Sequence, residues 1–264
     1  MGNEMNQKLP MHEYLHSQGL SSSALAMADE SMAKFHAYTQ GQIKYESKSL
    51  SLGTEVHAAL EDMEAYLRSR IVKPEGVDYR TKEGKAFRES IQPWQVLIDS
   101  ETMATVQGCC DSYQYSDDAL ISLARDSQGE NEVSRFWTEH GLEMKARADR
   151  IVSIEGDGNE FSNKIVIDFK TTSRKADPRS WSYQMKDWHY AIKASHYLEG
   201  FKADAFLWIV LETSAPYHVT RYLMSPATAA FYSERRKSLI NQISECSESG
   251  VWPGLSITDE ETLI

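Results

Sequence analysis

Two alternating stretches joined by a loop rich in Gly, Asp and Asn constrain this fold more than any other feature. The first is LEMKARADRIVSI, from Leu142 to Ile154; the second is KIVIDFKTT, from Lys164 to Thr172. Successive side chains of a strand leave opposite faces, so a period of two marks a half-buried strand. Leu142, Met144, Ala146 and Ala148 share one face of the first stretch; Glu143, Lys145, Arg147 and Asp149 share the other. In the second, Ile165, Ile167 and Phe169 oppose Val166, Asp168 and Lys170. With EGDGNEFSN between them, the two strands read as an antiparallel hairpin. A turn near Gly158–Asn159 sets Asp149 opposite or diagonal to Asp168 and Lys170, roughly 5–8 Å away.

An Asp-x-Lys triplet alone is well explained as an ion pair on a wet strand, worth about 0–1 kcal/mol. A second carboxylate from the neighbouring strand changes the chemistry. Two acids this close repel unless a cation or proton lies between them. A hard divalent ion such as Mg2+ takes one or two carboxylates, with water and phosphate oxygens completing its shell. A lysine beside such an ion can hold and polarise an attacking water. Asp149, Asp168 and Lys170 are therefore a candidate catalytic set for phosphodiester hydrolysis. The acids of the loop itself lack the ligand spacing of an EF-hand.

The 264 residues, 41% hydrophobic and 25% charged, suit one domain with a substantial core. The expected organisation is a single domain over 1–264: a mainly helical part over 1–130, an α/β core over 131–250 and a tail over 251–264. Ser21–Ser23 predict the cap of one helix reaching Tyr38, with Gly41 as its stop. A second helix starts near Ser51–Thr54 and carries Val56, Leu60, Met63 and Leu67; Ser100 and Ser116 open two more. Pro178 begins another, and Trp188 to Tyr197 continue as a helix with His189, Lys193 and Tyr197 along one face. AFLWIVLE reads as a buried strand, Tyr217–Met224 as the next, and Ala227 to Cys246 as the last helix.

MGNEMNQKLP has neither the apolar centre of a secretory leader nor a myristoylation pattern, and no apolar run is long enough for a membrane span. Cys109, Cys110 and Cys246 lack ligand spacing, which favours a reduced, cytoplasmic protein without disulfides or a zinc cluster. The net charge of −11 speaks against nucleic acid as a partner. Locally the balance reverses: Lys164, Lys170, Arg174, Lys175, Arg179, Lys186, Lys193 and Lys202 face only Asp168, Asp177, Asp187 and Glu199. Such a stretch can hold phosphates inside an acidic protein.

Taken together, these residues resemble the PD-(D/E)xK nucleases, and most closely the RecE-type exonucleases (exodeoxyribonuclease VIII) often carried by phages and prophages. The blocks that carry the resemblance are LSSSALAMADESMAKF, SLGTEVHAALE, TKEGKAFRE, ENEVSRFW, KARADRIV, IDFKTT, ASHYLEGF and IVLETSAPY, in that order. The resemblance implies a restriction-endonuclease-like α/β core, its mixed central sheet flanked by helices, with a helical N-terminal cover. It implies Mg2+, with Mn2+ as a substitute, held by Asp149, Asp168, the main-chain carbonyl of Phe169 and His57, while Lys170 positions the water. Glu132 reads as a helix-surface acid, with an outer-sphere role at the metal as the alternative. The family's Gln, four residues before a Tyr, is replaced here by Lys193 before Tyr197. A lysine cannot accept the hydrogen bond that Gln accepts.

The implied activity is 5′→3′ degradation of linear double-stranded DNA from its ends, yielding single strands for homologous recombination. A ring-shaped homo-oligomer, a tetramer in the first instance, and a single-strand annealing protein follow on the same grounds. Arg174, Lys175, Arg179, Trp181 and Lys186, with Tyr183 and Trp188, interleave basic and aromatic groups that suit a DNA backbone and its bases, or equally a core or subunit interface. Two other readings stand beside this one. One is a Cas4-like or endonucleolytic enzyme on the same core; the other is a catalytically inactive scaffold that binds DNA ends.

Overall fold

The computed structural model describes residues 7–43, 48–155 and 162–255. Its N-terminal half is helical: α1 (Met11–His16), α2 (Ser22–Glu30), α3 (Met32–Thr39), α4 (Lys48–Glu61), α5 (Met63–Ser69), α6 (Lys82–Ser90), α7 (Ser100–Gln114) and α8 (Ala119–Asp126). Two short strands, β1 (Arg70–Val72) and β2 (Val96–Ile98), pair in parallel within this half. The second half runs β3 (Gly129–Glu139), β4 (Leu142–Glu155), β5 (Ser162–Thr172), α9 (Pro178–Asp187), α10 (Tyr190–Phe201), β6 (Ala205–Glu212), β7 (Val219–Leu223) and α11 (Pro226–Ser249).

The last five strands form one mixed sheet in the order β3-β4-β5-β6-β7. β5 and β6 are parallel and the other neighbours antiparallel. A parallel pair needs a long crossover, and α9 with α10 supplies it. AFLWIVLE is apolar throughout because β6 is covered on both faces. Phe206, Trp208 and Val210 join one core with Leu25, Ile192 and Leu239, from α2, α10 and α11. Leu207, Ile209 and Leu211 join a second with Val56, Val106 and Ile121, from α4, α7 and α8. Truncating a side chain as enclosed as Ile209 costs about 2–5 kcal/mol. The architecture is thus a mixed α/β sheet flanked by helices, as expected.

Several boundaries differ from expectation. The first long helix is split at Ser31, which turns extended and whose Oγ accepts from Lys34 N–H at 3.1 Å, capping α3. α7 opens at Ser100 as expected, capped by Asp99, whereas α8 is capped by Asp118 rather than by Ser116, because the carboxylates reach the free N–H groups of the first turn. The ENEVSRFW block is a strand, so Glu132 does not lie on a helix surface. His189 is left-handed, φ 52°, and begins a new helix, so the expected His189–Lys193–Tyr197 face does not form as drawn. Gly158–Asn159 lie outside the described residues. Among the described residues no helix is long and apolar enough to cross a membrane. Cys109, Cys110 and Cys246 are buried free thiols.

Candidate active site

The β4–β5 register pairs Arg150 with Ile167, which sets Asp149 opposite Asp168 one step beyond the last paired residues. There the ladder gives way to a side chain: Phe169 N–H donates to Asp149 Oδ2 at 2.8 Å. Across the sheet, Asp149 also falls level with Glu132, between the pairs Asn131–Arg150 and Val133–Ala148. Glu132 has φ 55°, a left-handed kink in β3. Strict alternation in β4 slips at the same place, since Ala146, Ala148 and Ile151 all enter one core. An irregularity of this kind re-aims a side chain out of the pleat. It sits level with Asp149.

Lys170 reaches back along β5. Its ammonium pairs with Asp168, donates to the Phe169 carbonyl at 3.2 Å and lies 5.5 Å from the centre of the Tyr190 ring. The Phe169 side chain turns into the second core, edge-on to Tyr113 at 5.3 Å, which fixes the backbone between the two acids. His57 arrives from α4. Gly53, one turn earlier, lets α4 lie close to β5, because a Cβ there would stand 3.1 Å from Thr171 Oγ1. His57 Nδ1 is then 3.5 Å from Asp149 Oδ2.

The charges are strongly coupled. Burial pushes the Asp149 carboxyl up, but His57, then Lys170 and the Phe169 N–H, hold it below the usual carboxylate range. Burial raises Asp168, and the Asp149 charge opposes Lys170 to keep it raised. Burial alone would lower Lys170, yet Asp168 and Asp149 hold its ammonium above the ordinary lysine range. His57 is likewise raised, the pull of Asp149 overcoming burial. Burial and then the Lys170 charge push Lys193 down to about 8.

Glu132 is raised by burial and then by the Asp149 charge, with Arg147 as its ion-pair partner. It lines a cavity of about 150 Å³ together with His57, Asp149, Arg150, Tyr113 and Phe169. Lys193 lies 5.4 Å from the same Tyr190 ring as Lys170. The Tyr197 hydroxyl accepts from Ser22 Oγ at 3.4 Å, joining α10 to α2. His189 Nδ1 meets Asp29 Oδ2 at 2.7 Å and so ties the same elements.

Trp181 is a correction. It is 4% exposed, stacked on Tyr190 and Tyr222 with centroids 5.4 and 5.2 Å away, and therefore belongs to the core and not to a DNA-facing surface. Tyr183 and Trp188 are the exposed aromatics of this segment, at 57% and 53%. Arg174, Lys175, Arg179 and Lys186 are exposed beside them, with Arg174 3.6 Å from Asp187. Tyr190 and Arg147 escaped the sequence reading. The signal for Tyr190 was its place three residues before Lys193, on the same helical face.

Among the described residues no three His, Cys, Asp or Glu side chains close around a metal by themselves. The donors present are the carboxylates of Asp149 and Asp168, the Phe169 carbonyl and His57. That set fits a hard divalent cation, which accepts a partial shell of oxygens and leaves the rest to water and substrate. The mutual repulsion of the two acids, now balanced by Lys170, is the electrostatic counterpart of that fit.

A family described as a PDDEXK-like domain of unknown function (DUF3799) matches residues 21–258. A solved structure from Eubacterium rectale, described as a putative exonuclease, is similar with a TM-score of 0.57 at 11% identity, over 97% of this chain and 92% of that one. A second, described as SSO0001, gives 0.29 at 18% identity over 70% and 84%. No curated protein matches the chain.

Proposed function

The chain belongs to the PDDEXK-like domain family, and from that premise we propose that it is a metal-dependent deoxyribonuclease that degrades linear double-stranded DNA from its ends. The convergence of Asp149, Asp168 and Lys170 carries this reading. The 5′→3′ direction, the role in recombination, the annealing partner and the tetrameric ring rest on the RecE-type resemblance of the sequence blocks. The fold likeness to the Eubacterium rectale structure supports the nuclease core.

Asp149, Asp168, the Phe169 carbonyl and His57 would hold the metal, Mg2+ or Mn2+. Once bound, the metal supplies Lewis-acid polarisation of a phosphate oxygen and of water. The chain's own groups do the rest. Phe169 N–H keeps Asp149 aimed at the site. Lys170 carries its proton at neutral pH, so it orients and polarises water by donating to it and does not take the proton away. The polar cavity at His57 and Asp149 gives water a place beside the acids.

The test is digestion of end-labelled linear duplex and closed circular DNA with Mg2+, Mn2+ or EDTA. Stepwise loss from 5′ ends with circles intact is expected. Nicked circles would replace the exonuclease with an endonuclease, and cleavage of neither would leave a DNA-end-binding scaffold as the better account.

A further inference from the structure

Among the described residues, several enclosed lysines have polar partners. Lys145 is buried and donates to the carbonyls of Tyr14, Leu15 and Ser17 at 3.1, 3.3 and 2.7 Å. Lys164 donates to the Phe201 carbonyl at 3.1 Å. Lys34 pairs with Glu30, and Lys170 with Asp168. These arrangements follow from the cost of withdrawing an ammonium from water without a compensating charge or acceptor.

Lys193 breaks the pattern. Half-buried on α10, it has an ammonium with neither an ion pair nor a hydrogen bond among the described residues, and that ammonium lies 5.4 Å from the centre of the Tyr190 ring. The same ring lies 5.5 Å from the Lys170 ammonium. Two cations that share one ring repel each other and gain little from it. Two acids reach Lys193 through their field: Asp168, already paired with Lys170, and Glu30, engaged by Lys34 and 3.8 Å from His189 Nε2. Among the described residues, the fold therefore presents an ammonium without an ion-pair partner of its own next to the Asp168–Lys170 pair. Such a charge is matched by an anion from outside the chain.

We infer that Lys193 is a second active-site cation, whose ammonium contacts a non-bridging oxygen of the scissile phosphate beside Lys170. This rests on the nuclease reading and extends it. Lys170 serves the water, and Lys193 holds the phosphate and offsets charge that builds on its oxygens as the bond to the leaving oxygen breaks. Preorganised charge of this kind stabilises a transition state more than a ground state. A merely structural lysine would pack its stem and leave its head in water, and Met would replace it without consequence.

The experiment measures binding of a labelled linear duplex in EDTA across a salt series, then cleavage with Mg2+, for the wild type and for Lys193→Met, Lys193→Gln and Lys193→Arg. The salt slope of log K should fall by about one for Met and Gln and stay unchanged for Arg. Turnover, as kcat/KM, should fall about 100-fold for Met and Gln, with melting temperatures unmoved and with Arg retaining most activity. Wild-type slope and turnover in Lys193→Met would overturn the inference. Full activity in Lys193→Gln would overturn it too, since a hydrogen bond and not a charge would then be the requirement. Should the wild type cleave nothing with Mg2+ or Mn2+, the nuclease reading fails, and the salt slopes still decide whether Lys193 meets a phosphate.

Discussion

The main-chain N–H of Phe169 donates to Asp149 Oδ2 at 2.8 Å, so the acid delivered by one strand is locked by the backbone that carries the other acid. The two carboxylates cannot drift apart without breaking this bond. Asp149→Asn keeps an acceptor for Phe169 N–H and loses the charge. It should melt near the wild-type temperature while turnover falls by about 10²–10³. Melting curves beside steady-state cleavage check this; near-wild-type cleavage would remove Asp149 from the catalytic set.

His57 touches Asp149 from a helix on the second-core side of the sheet. His57→Ala should weaken metal binding more than DNA binding. A ligand at 100 times its Kd stabilises a fold by about 2.7 kcal/mol, so the rise in melting temperature with Mg2+ or Mn2+ reports the loss directly. An unchanged rise would place His57 outside the metal's reach.

Arg236, 1% exposed, is held by Glu139 through hydrogen bonds of 2.8 and 2.7 Å. Burial raises the Glu139 carboxyl, but Arg236 outweighs it and holds the pKa below the usual range. A lowered folded pKa means stability that is full above the unfolded value, near 4.3, and lost as pH falls through the folded one. Glu139→Gln should cost about 3–5 kcal/mol at neutral pH, and its gap from the wild type should close in acid. A gap independent of pH would refute the assignment.

Trp181 and Tyr183 are two residues apart and should behave oppositely. Trp181→Ala should cost about 3–5 kcal/mol in unfolding free energy. Tyr183→Ala should change stability by no more than about 0.5 kcal/mol, and any effect should appear in DNA affinity. Denaturant titration of both variants distinguishes them; equal losses would contradict the placement of Trp181 in the core.

The parts that sequence made legible follow one rule each. Alternation over 142–148 and 164–172 marked the faces of the hairpin, the slip between Ala148 and Ile151 left no such mark, and the continuous apolar run of β6 announced a strand buried on both sides. Glu132 was placed on a helix surface because its φ of 55° breaks the alternation of β3, leaving Val133 and Ser134 both buried. His189 was hidden because the chain turns left-handed between two helices that share a continuous helical pattern. Trp181 was misread because an aromatic among basic residues looks the same in a core as on a DNA surface. What decided it was stacking against Tyr190 and Tyr222, residues 9 and 41 positions away, which no local pattern records. That Asp149, Asp168 and Lys170 come together was legible because they lie on two adjacent strands, whereas Tyr190 enters from a helix whose orientation only packing sets.

The most direct test of the central claim is cleavage of linear duplex DNA with Mg2+ or Mn2+ by the wild type, Asp168→Ala and Lys170→Ala, each shown by its melting curve to be folded. Metal-dependent cleavage by the wild type, abolished in both variants and by EDTA, is the expected result. Cleavage that survives in either folded variant would contradict the assignment of this site.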